Sequence, residues 1–340
     1  MGSVKDLIIL EKPEREKHGI GRFVFTDRYS VFDWGEMPDH ILDKGKSICI
    51  STAYFFEEIE KKGIKTHYIG LVDENGNLKK LNELDKPTDT IQFKMLRVLK
   101  PEIKGNFYDY SIFKKERFNF LIPLEIIYRN YLSENSSIFK RLKEGSITPK
   151  DIGLKEYPVA GQKLEKPIID ISTKLETTDR YINWKEAKEI ANLTDDEIEE
   201  IKLKTLKINE IITIEAEKIG LINEDGKIEF GFDEKRNLIL VDAVGTLDEC
   251  RFTYNGIPVS KEIARIYYRK TEWFENLEQA KKKDKIEWKK YVNLTPPKLP
   301  EKLCVLISNI YRSYANEITQ RKFFCVPSLK EVLREIKSFI

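Results

Sequence analysis

The sequence of 340 residues has few of the side chains on which thiol and imidazole sites are built. Its four cysteines lie far apart and show none of the short paired spacings of zinc sites or redox motifs, so we interpret them as buried free thiols. The three histidines are too few and too scattered for a histidine-based metal centre, and we assign them no role. These residues are Cys49, Cys250, Cys304, Cys325, His18, His40 and His67.

The sequence also lacks an excess of charge of either sign, since 59 Lys and Arg stand against 57 Asp and Glu, for a net charge of +2. No global field therefore draws the protein to a polyanion, and we predict neither a nucleic-acid partner nor a membrane partner. No apolar run approaches the roughly 20 residues of a transmembrane helix, and the first ten residues do not resemble a signal peptide. We therefore expect a cytoplasmic protein.

Three common chemical motifs are absent as well. There is no GxxxxGK[ST] phosphate loop, no GxGxxG dinucleotide fingerprint and no GxSxG nucleophile elbow. Nucleotide or hydrolase chemistry of the commonest kinds is therefore not indicated.

The composition is that of a globular chain, with 41% hydrophobic and 11% aromatic residues. Charged residues make up 34%, mainly Lys and Glu, and Ile is abundant. This composition is typical of hyperthermophile proteins, although a low-GC coding bias produces the same skew. Both explanations stay open.

The pattern of apolar residues predicts a β-rich first third, with strands at 21–26 and 90–99 and a helix at 51–62 that Ser51 caps. Residues 118–131 are almost continuously apolar and carry only two charges. A long helix is predicted at 192–220, opened by Thr194 with acidic residues in the first turn. It is followed by a predicted hairpin of strands at 227–230 and 237–241. Two further helices, at 301–324 and 328–340, end the chain.

The predicted hairpin carries three residues suited to phosphate chemistry. Glu229 lies in its first strand and Asp242 at the end of its second, and carboxylates on paired strands can share one Mg²⁺ ion. Lys227 would lie on the same strand face as Glu229 and could bind a phosphate oxygen. The simpler interpretation is a solvated, charged face of the hairpin.

Arg129 is the second candidate, because a buried arginine keeps its charge and needs a carboxylate or phosphate partner. That partner is either a bound anion or Glu125, four residues earlier. Ser136 and Ser137 could donate to the same anion, or could be ordinary turn residues.

Three other polar segments have an ion-pair interpretation beside a functional one. The first is TDRYSVFD at 26–33, directly after a predicted strand. The second is STKLE at 172–176 with Asp179, which places Lys174 among acids. The third is Asp248, one short turn before Arg251.

Taken in order, these segments resemble the SAICAR synthetase family. The matching segments, which cover roughly residues 1–255, are TDRYSVFD (26–33), DKGK (43–46), GIKTH (63–67), IPLEIIYRN (122–130), STKLE (172–176) with Asp179, DGKIEFG (225–231) and VDAVGTLD (241–248) with Arg251 and Phe252. The resemblance implies an α+β fold of two lobes: a β-rich ATP-binding amino lobe at 1–118, a larger mixed α/β lobe at 119–258, and a mainly helical C-terminal extension at 259–340. The extension matches longer, archaeal-type members.

The resemblance implies an ATP-dependent ligase that joins L-aspartate to the carboxylate of the ribonucleotide CAIR and releases SAICAR, ADP and phosphate. Phosphorylation gives the carboxylate a leaving group, while Mg²⁺ and cationic side chains offset the crowded negative charge. The alternatives are a related carboxylate-amine ligase with another substrate, or a noncatalytic nucleotide-binding homologue. A homo-oligomer stays open.

The same resemblance assigns roles to twelve residues. The catalytic residues would be Lys227, Asp248 and Lys174. ATP would be bound by Lys5, Lys227, Glu229 and Asp242, of which Glu229 and Asp242 would hold Mg²⁺. The substrates would be bound by Arg129, Ser137, Arg251, Asp248, Lys174, Asp179, Asp33 and Lys44.

The chain departs from the family pattern at four places near these residues. The amino-terminal GK-x-[KR] motif is GSVK at 2–5, so that Ser3 replaces the first lysine. The others are Ala243 after Asp242, Leu247 before Asp248 and Thr178 before Asp179. Loss of a neighbouring acid can retune a metal site, so these positions bear on the choice of substrate.

Overall fold

The computed structural model describes residues 4–105, 107–134, 136–284 and 287–339, and Gly2 and Ser3 of the GSVK segment lie outside them. Helices and strands are mixed, as expected for an α+β fold. The helices are α1 (Lys44–Lys61), α2 (Ser111–Lys115), α3 (Ser137–Lys143), α4 (Trp184–Ala191), α5 (Asp195–Lys218), α6 (Glu262–Tyr268), α7 (Glu272–Lys283), α8 (Glu301–Thr319) and α9 (Leu329–Ile336).

The strands of the first half are β1 (Lys5–Glu11), β2 (Gly19–Phe25), β3 (Tyr68–Val72), β4 (Leu78–Lys79), β5 (Thr90–Met95), β6 (Glu102–Lys104) and β7 (Phe107–Asp109). Those that follow are β8 (Phe120–Leu132), β9 (Gln162–Thr173), β10 (Tyr181–Ile182), β11 (Ile222–Phe232), β12 (Leu238–Val241), β13 (Cys250–Tyr254) and β14 (Ile257–Pro258).

The first sheet has five antiparallel strands in the order β1-β2-β5-β3-β4, and α1 packs on it. The predicted cap at Ser51 is wrong, because α1 begins seven residues earlier, at Lys44. Ser51 lies buried inside the helix, where its hydroxyl donates to the carbonyl of Ser47 at 2.5 Å. The residue that precedes the helix is Asp43, in the left-handed region at φ 56°.

The second sheet has seven antiparallel strands in the order β10-β9-β8-β11-β13-β14, with β12 also paired to β11. The predicted hairpin is confirmed, since Phe232 pairs with Leu238, although β11 is longer than expected. Helix α5 packs against β8 and β11. Its predicted start is confirmed by a capping box, in which Thr194 accepts from the backbone N–H of Glu197 at 3.2 Å and Glu197 accepts from that of Thr194 at 2.8 Å.

Two short parallel bridges join the sheets, one between Thr66 and Leu240 and the other between Arg97 and Phe120. At the first bridge, His67 donates its backbone N–H to the Leu240 carbonyl at 2.9 Å, and its own carbonyl accepts from Lys94 at 2.7 Å. Residues next to the ends of β3 and β5 are thereby joined to strands of the second sheet.

The C-terminal part of the chain contains four helices, of which α8 packs against both α1 and α9. Both terminal helices are shorter than predicted. Helix α8 ends at Thr319, because Gln320 adopts the left-handed region at φ 53°, and α9 ends at Ile336. Ser328 caps α9 by accepting a hydrogen bond from the backbone of Glu331.

The interpretation of all four cysteines as buried thiols is half right. Cys49 and Cys250 are buried, whereas Cys304 is half-buried and Cys325 is exposed, because Cys325 lies in the loop between α8 and α9 rather than in the core. None of the helices in the described ranges combines the length and apolar character needed to span a bilayer.

Candidate functional site

The polar side chains of three neighbouring strands project from one face of the second sheet. In the register of β8 and β11, Glu125 lies opposite Glu229, and Arg129 lies opposite Asp225. Lys227 falls between them, because alternate residues of a strand share a face. The intervening residues point to the other side and are buried, which explains why 118–131 reads as an apolar run with only two charges.

Lys227 is the centre of a cluster of lysines and carboxylates. Its Nζ lies 2.5 Å from Glu229, 3.2 Å from both Glu125 and Glu249, and 4.0 Å from Asp242. Burial would lower the pKa of this ammonium group, but Glu229, Glu249 and Glu125 outweigh it and raise the pKa well above the ordinary value. Lys227 is therefore a fixed positive charge, on the same strand face as Glu229, as predicted.

Lys174 adds a second ammonium group to this cluster. It follows the last residue of β9, and its Nζ lies 2.6 Å from Glu229 and 3.9 Å from Glu125. Its partners are thus not the acids of its own STKLE segment, because Glu176 pairs with Arg180 at 3.0 Å. The ion-pair interpretation of Lys174 is therefore confirmed, but its partners are carboxylates of β8 and β11 rather than Glu176.

Lys5 and Asp242 meet at the edge of the cluster, although 237 residues separate them in the chain. The Lys5 ammonium forms an ion pair with Asp242 and lies 4.5 Å from the centre of the Phe23 ring. Burial alone would raise the pKa of Asp242, but Lys5, Lys227 and Lys174 lower it below the ordinary value. Asp242 is therefore ionised, at a backbone position held at φ 69°.

His67, to which the sequence analysis assigned no role, lies beside this strained residue. Its Nε2 is 3.2 Å from the carbonyl oxygen of Asp242, and its ring packs 4.7 Å from that of Phe93. Complete burial lowers the pKa of the imidazole to about 4, so the ring is neutral and Nε2 donates to the carbonyl. The GIKTH segment of the resemblance was the signal that could have found it.

An apolar cavity of about 420 Å³ opens between the sheets and ends at the cluster. Its polar end is formed by Lys174, Glu229 and Asp242. The residues that line the rest are Leu7, Phe23, His67, Phe93, Met95, Leu96, Val98, Leu121, Leu175 and Val241. A flat, apolar ring fits such a cavity, with its charged substituents directed to the cluster.

Arg129 lies at the far end of the same sheet face, with its side chain 2% exposed. Its guanidinium group donates to Asp170 at 3.0 Å, to Asp225 at 3.3 Å and to the Ser137 hydroxyl at 3.0 Å. The proposed ion pair with Glu125 is wrong. The segment is a strand, so residues four apart lie about 13 Å from each other rather than one helical turn apart.

Two more arginines complete this group. Arg251 donates to both carboxylate oxygens of Asp225, with Nε at 2.7 Å, and to the Ser133 hydroxyl at 2.9 Å. Arg141 pairs with Asp170 and lies over the Tyr181 ring at 4.1 Å. Arg251 therefore does not pair with Asp248, its neighbour in sequence.

Arg129 and Arg251 border a second cavity, of about 330 Å³. Glu125 and Lys227 line its wall toward the first cavity. Its remaining charged and hydroxyl-bearing residues are Arg129, Ser137, Tyr181, Asp225, Asp248, Glu249, Arg251, Ser260, Lys261 and Arg265. Lys261 and Arg265 were not predicted as site residues, because nothing local distinguishes the SKEIAR segment at 260–265 from an ordinary helix start.

Asp248 is held from two sides. Lys44 lies 2.8 Å from its Oδ2, and the Tyr311 hydroxyl donates to its Oδ1 at 2.6 Å. Burial opposes the ionisation of Asp248, but Lys44 and Lys261 outweigh it and lower the pKa to about 2. Lys44 is itself only 1% exposed. It therefore acts on the cavity indirectly, through its ion pair with Asp248.

The last two predicted residues lie at the periphery. Asp33 has a side chain that is 91% exposed, and its carboxylate lies 3.5 Å from Lys281. Asp179 is exposed in the loop between β9 and β10. Burial raises the pKa of Asp179, while Lys227 and Lys174 act in the opposite direction.

Comparison with known proteins identifies the family. The SAICAR synthetase family model matches residues 2–284. A protein of Archaeoglobus fulgidus assigned to phosphoribosylaminoimidazole-succinocarboxamide synthase is 52% identical over 340 residues, which is all of both chains. The synthase of Thermoplasma acidophilum is 35% identical over 88% of this chain and 93% of its own.

Solved structures agree on the fold. A SAICAR synthetase in complex with ADP superposes with a TM-score of 0.61 at 22% identity, covering 95% of this chain and 97% of its own. The Saccharomyces cerevisiae enzyme complexed with SAICAR gives 0.64 at 21% identity, covering 95% and 94%. The chain belongs to the SAICAR synthetase family and is an ATP-dependent ligase that joins L-aspartate to the carboxylate of CAIR in purine biosynthesis.

Proposed function

We propose that the apolar cavity binds the adenine of ATP, that the cluster around Lys227 receives its phosphates, and that the arginine-lined cavity binds CAIR. One observation supports all three assignments. Glu229 lines the first cavity, Glu125 and Lys227 line the second, and Lys227 lies 2.5 Å from Glu229. A phosphoryl group at the cluster would be reached from both cavities.

Lys5, Lys174 and Lys227 would bind the phosphates of the nucleotide. Each is paired with a carboxylate that is largely shielded from water. When the phosphates bind, these ammonium groups donate hydrogen bonds to the phosphate oxygens. The carboxylates then lose part of the positive charge that neutralises them. Because Ser3 replaces the first lysine of the amino-terminal GK-x-[KR] motif, Lys5 is the lysine of that motif that would bind phosphate.

The freed carboxylates of Glu229 and Asp242 fit Mg²⁺, which prefers oxygen ligands. In the described residues no three His, Cys, Asp or Glu side chains converge into a metal site of their own. The two carboxylates would therefore hold the ion together with phosphate oxygens, which is how Mg²⁺ is usually bound. The ion would offset negative charge on the transferred phosphoryl group.

Arg129, Arg251 and Ser137 would bind the phosphate of CAIR. Asp225 already orients both guanidinium groups, and planar guanidinium groups bind a phosphate through paired hydrogen bonds. The carboxylate of CAIR would then face the cluster.

The reaction would proceed in two steps. A carboxylate oxygen of CAIR bonds to the γ-phosphorus of ATP while the bond to the β-phosphate oxygen breaks, which releases ADP and leaves an acyl phosphate. The aspartate nitrogen, after losing a proton, bonds to the acyl carbon, and inorganic phosphate departs with the electron pair of the C–O bond. Lys227 and Lys174 would stabilise the charge that develops on the phosphoryl oxygens.

Asp248 would act as a hydrogen-bond acceptor for the substrate rather than as a proton shuttle. A pKa of about 2 leaves it ionised at neutral pH and a weak base. Lys44 would position it, and Asp33 and Asp179 would attract the ammonium group of L-aspartate from the open side. The division into units at 1–118, 119–258 and 259–340, the cytoplasmic location and the use of Mg²⁺ are parts of the same proposal.

The test is ADP release with ATP, MgCl2 and CAIR, with and without L-aspartate, and with mass detection of SAICAR. We expect aspartate-dependent ADP release, and a Lys227→Met variant with kcat about 100-fold to 1,000-fold lower. Lys204→Met is the matched control, because Lys204 is similarly shielded and pairs with Glu200 at 2.8 Å on α5. Equal activity of the two variants would refute the phosphate role of Lys227, and ADP release without SAICAR would point to another amine.

A further inference from the structure

The loop at 242–249 is held between two helices that are distant in sequence. It leaves the sheet after β12 and returns at β13, beside the middle of β11. Helix α8 lies on one side of it, where Tyr311 donates to Asp248 at 2.6 Å and Tyr314 donates to the Gly245 carbonyl. Tyr311 is 2% exposed and Tyr314 is 1% exposed, so water does not compete for either bond.

Helix α1 lies on the other side of the loop. Lys44 forms its ion pair with Asp248 there, and the backbone of Gly245, at φ 70°, approaches the ring of Phe55 so closely that a side chain at 245 would collide with it. The loop therefore contacts both α1 and α8. Its two ends carry Asp242, at the nucleotide cavity, and Asp248, at the arginine-lined cavity.

We propose that the C-terminal helix α8 positions the loop for catalysis, and that Tyr311 is a positioning residue that fixes the Asp248 carboxylate toward CAIR. This inference rests on the proposed role of Asp248. It gives the C-terminal helices a function in the site, although residues 301–336 lie beyond the segment that the family model matches.

Tyr311 acts as a positioning residue because it fixes the orientation of the Asp248 carboxylate. With Lys44 as its only partner, the Asp248 carboxylate could rotate toward Lys261, the other cation that faces it. Glu249 and Arg265 are further charged groups that act on Lys261. Tyr311 occupies Oδ1 and leaves Lys44 on Oδ2, which sets the plane of the group. Burial, with Asp248 adding to its effect, raises the pKa of Tyr311 well above the ordinary value, so the hydroxyl stays a donor.

The experiment compares Tyr311→Phe with Tyr54→Phe. Tyr54 is a matched control, because its hydroxyl donates to the carboxylate of Glu215 at 2.7 Å, away from both cavities. We expect similar losses of thermal stability in the two variants. Only Tyr311→Phe should lower kcat/KM for CAIR, by roughly tenfold to a hundredfold, with KM for ATP unchanged.

An Asp248→Asn variant separates the two levels of the proposal. If this variant binds CAIR as tightly as the unmodified enzyme, the role of Asp248 is wrong. If it binds CAIR weakly while Tyr311→Phe behaves like Tyr54→Phe, the positioning role of α8 is overturned. Should Tyr311→Phe fail to fold, Tyr314→Phe tests the same contact surface, and unchanged kcat/KM for CAIR in that variant would also overturn the inference.

Discussion

Replacing Asp225 with Asn tests whether the arginine-lined cavity is built around a shared carboxylate. Asp225 is 4% exposed, and it accepts hydrogen bonds from both Arg129 and Arg251. Asparagine keeps the size of the side chain but removes the charge. The two guanidinium groups then lose a carboxylate that neutralises them, while Arg129 keeps its ion pair with Asp170.

Breaking a buried ion pair by removing one partner costs about 3 to 5 kcal/mol. An unfolding entropy of about 2.1 cal/mol/K per residue gives roughly 0.7 kcal/mol/K for a chain of this length. We therefore expect the Tm of the Asp225→Asn variant to fall by about 4 to 7 °C. An Asp233→Asn control should fall less, because the Asp233 carboxylate caps the turn between β11 and β12 and its ion-pair partner is Lys65, at 3.9 Å with a side chain that is 62% exposed.

The assay is calorimetry with and without inorganic phosphate. An anion that binds only the folded state raises Tm, and without the negative charge of Asp225 the arginines should bind phosphate more tightly. Phosphate should therefore raise the Tm of Asp225→Asn by more than that of Asp233→Asn, in which the arginine-lined cavity is unchanged. An unchanged Tm, or equal phosphate effects in both variants, would refute the shared-carboxylate interpretation.

Two further predictions concern the loop at 242–249. His67→Phe keeps the aromatic packing but loses the hydrogen bond to the Asp242 carbonyl. The Kd for ADP, measured by titration calorimetry, should therefore rise about fivefold. An unchanged Kd would exclude a positioning role for His67. Asp248 has its pKa lowered to about 2, so the stability it contributes is complete above about pH 4 and is lost as the pH falls toward 2. Between pH 4.5 and pH 3 the contribution of Asp248 to the unfolding free energy, measured by urea titration, should drop by roughly 1 kcal/mol. The Asp248→Asn variant should lose less unfolding free energy over the same interval than the unmodified enzyme.

The features that depend on neighbours along the chain could be predicted from the residues alone. The capping box at Thr194, the hairpin of β11 and β12 and the shared face of Lys227 and Glu229 follow from spacing alone. Order among short motifs was enough to indicate the family. Helix ends were less well predicted, because the start of α1 at Lys44 depends on a backbone turn at Asp43 that carries no strong local signal.

The pairing of the charged side chains, in contrast, depends on how the strands and helices pack in three dimensions. Glu125 and Arg129 belong to different clusters because β8 is a strand, and their partners come from β9 and β11 through sheet register. Tyr311 reaches Asp248 across 63 residues through the packing of α8 on α1. Such pairings reflect the burial of whole apolar faces, which sets the register and the packing, and no local pattern of charges encodes them.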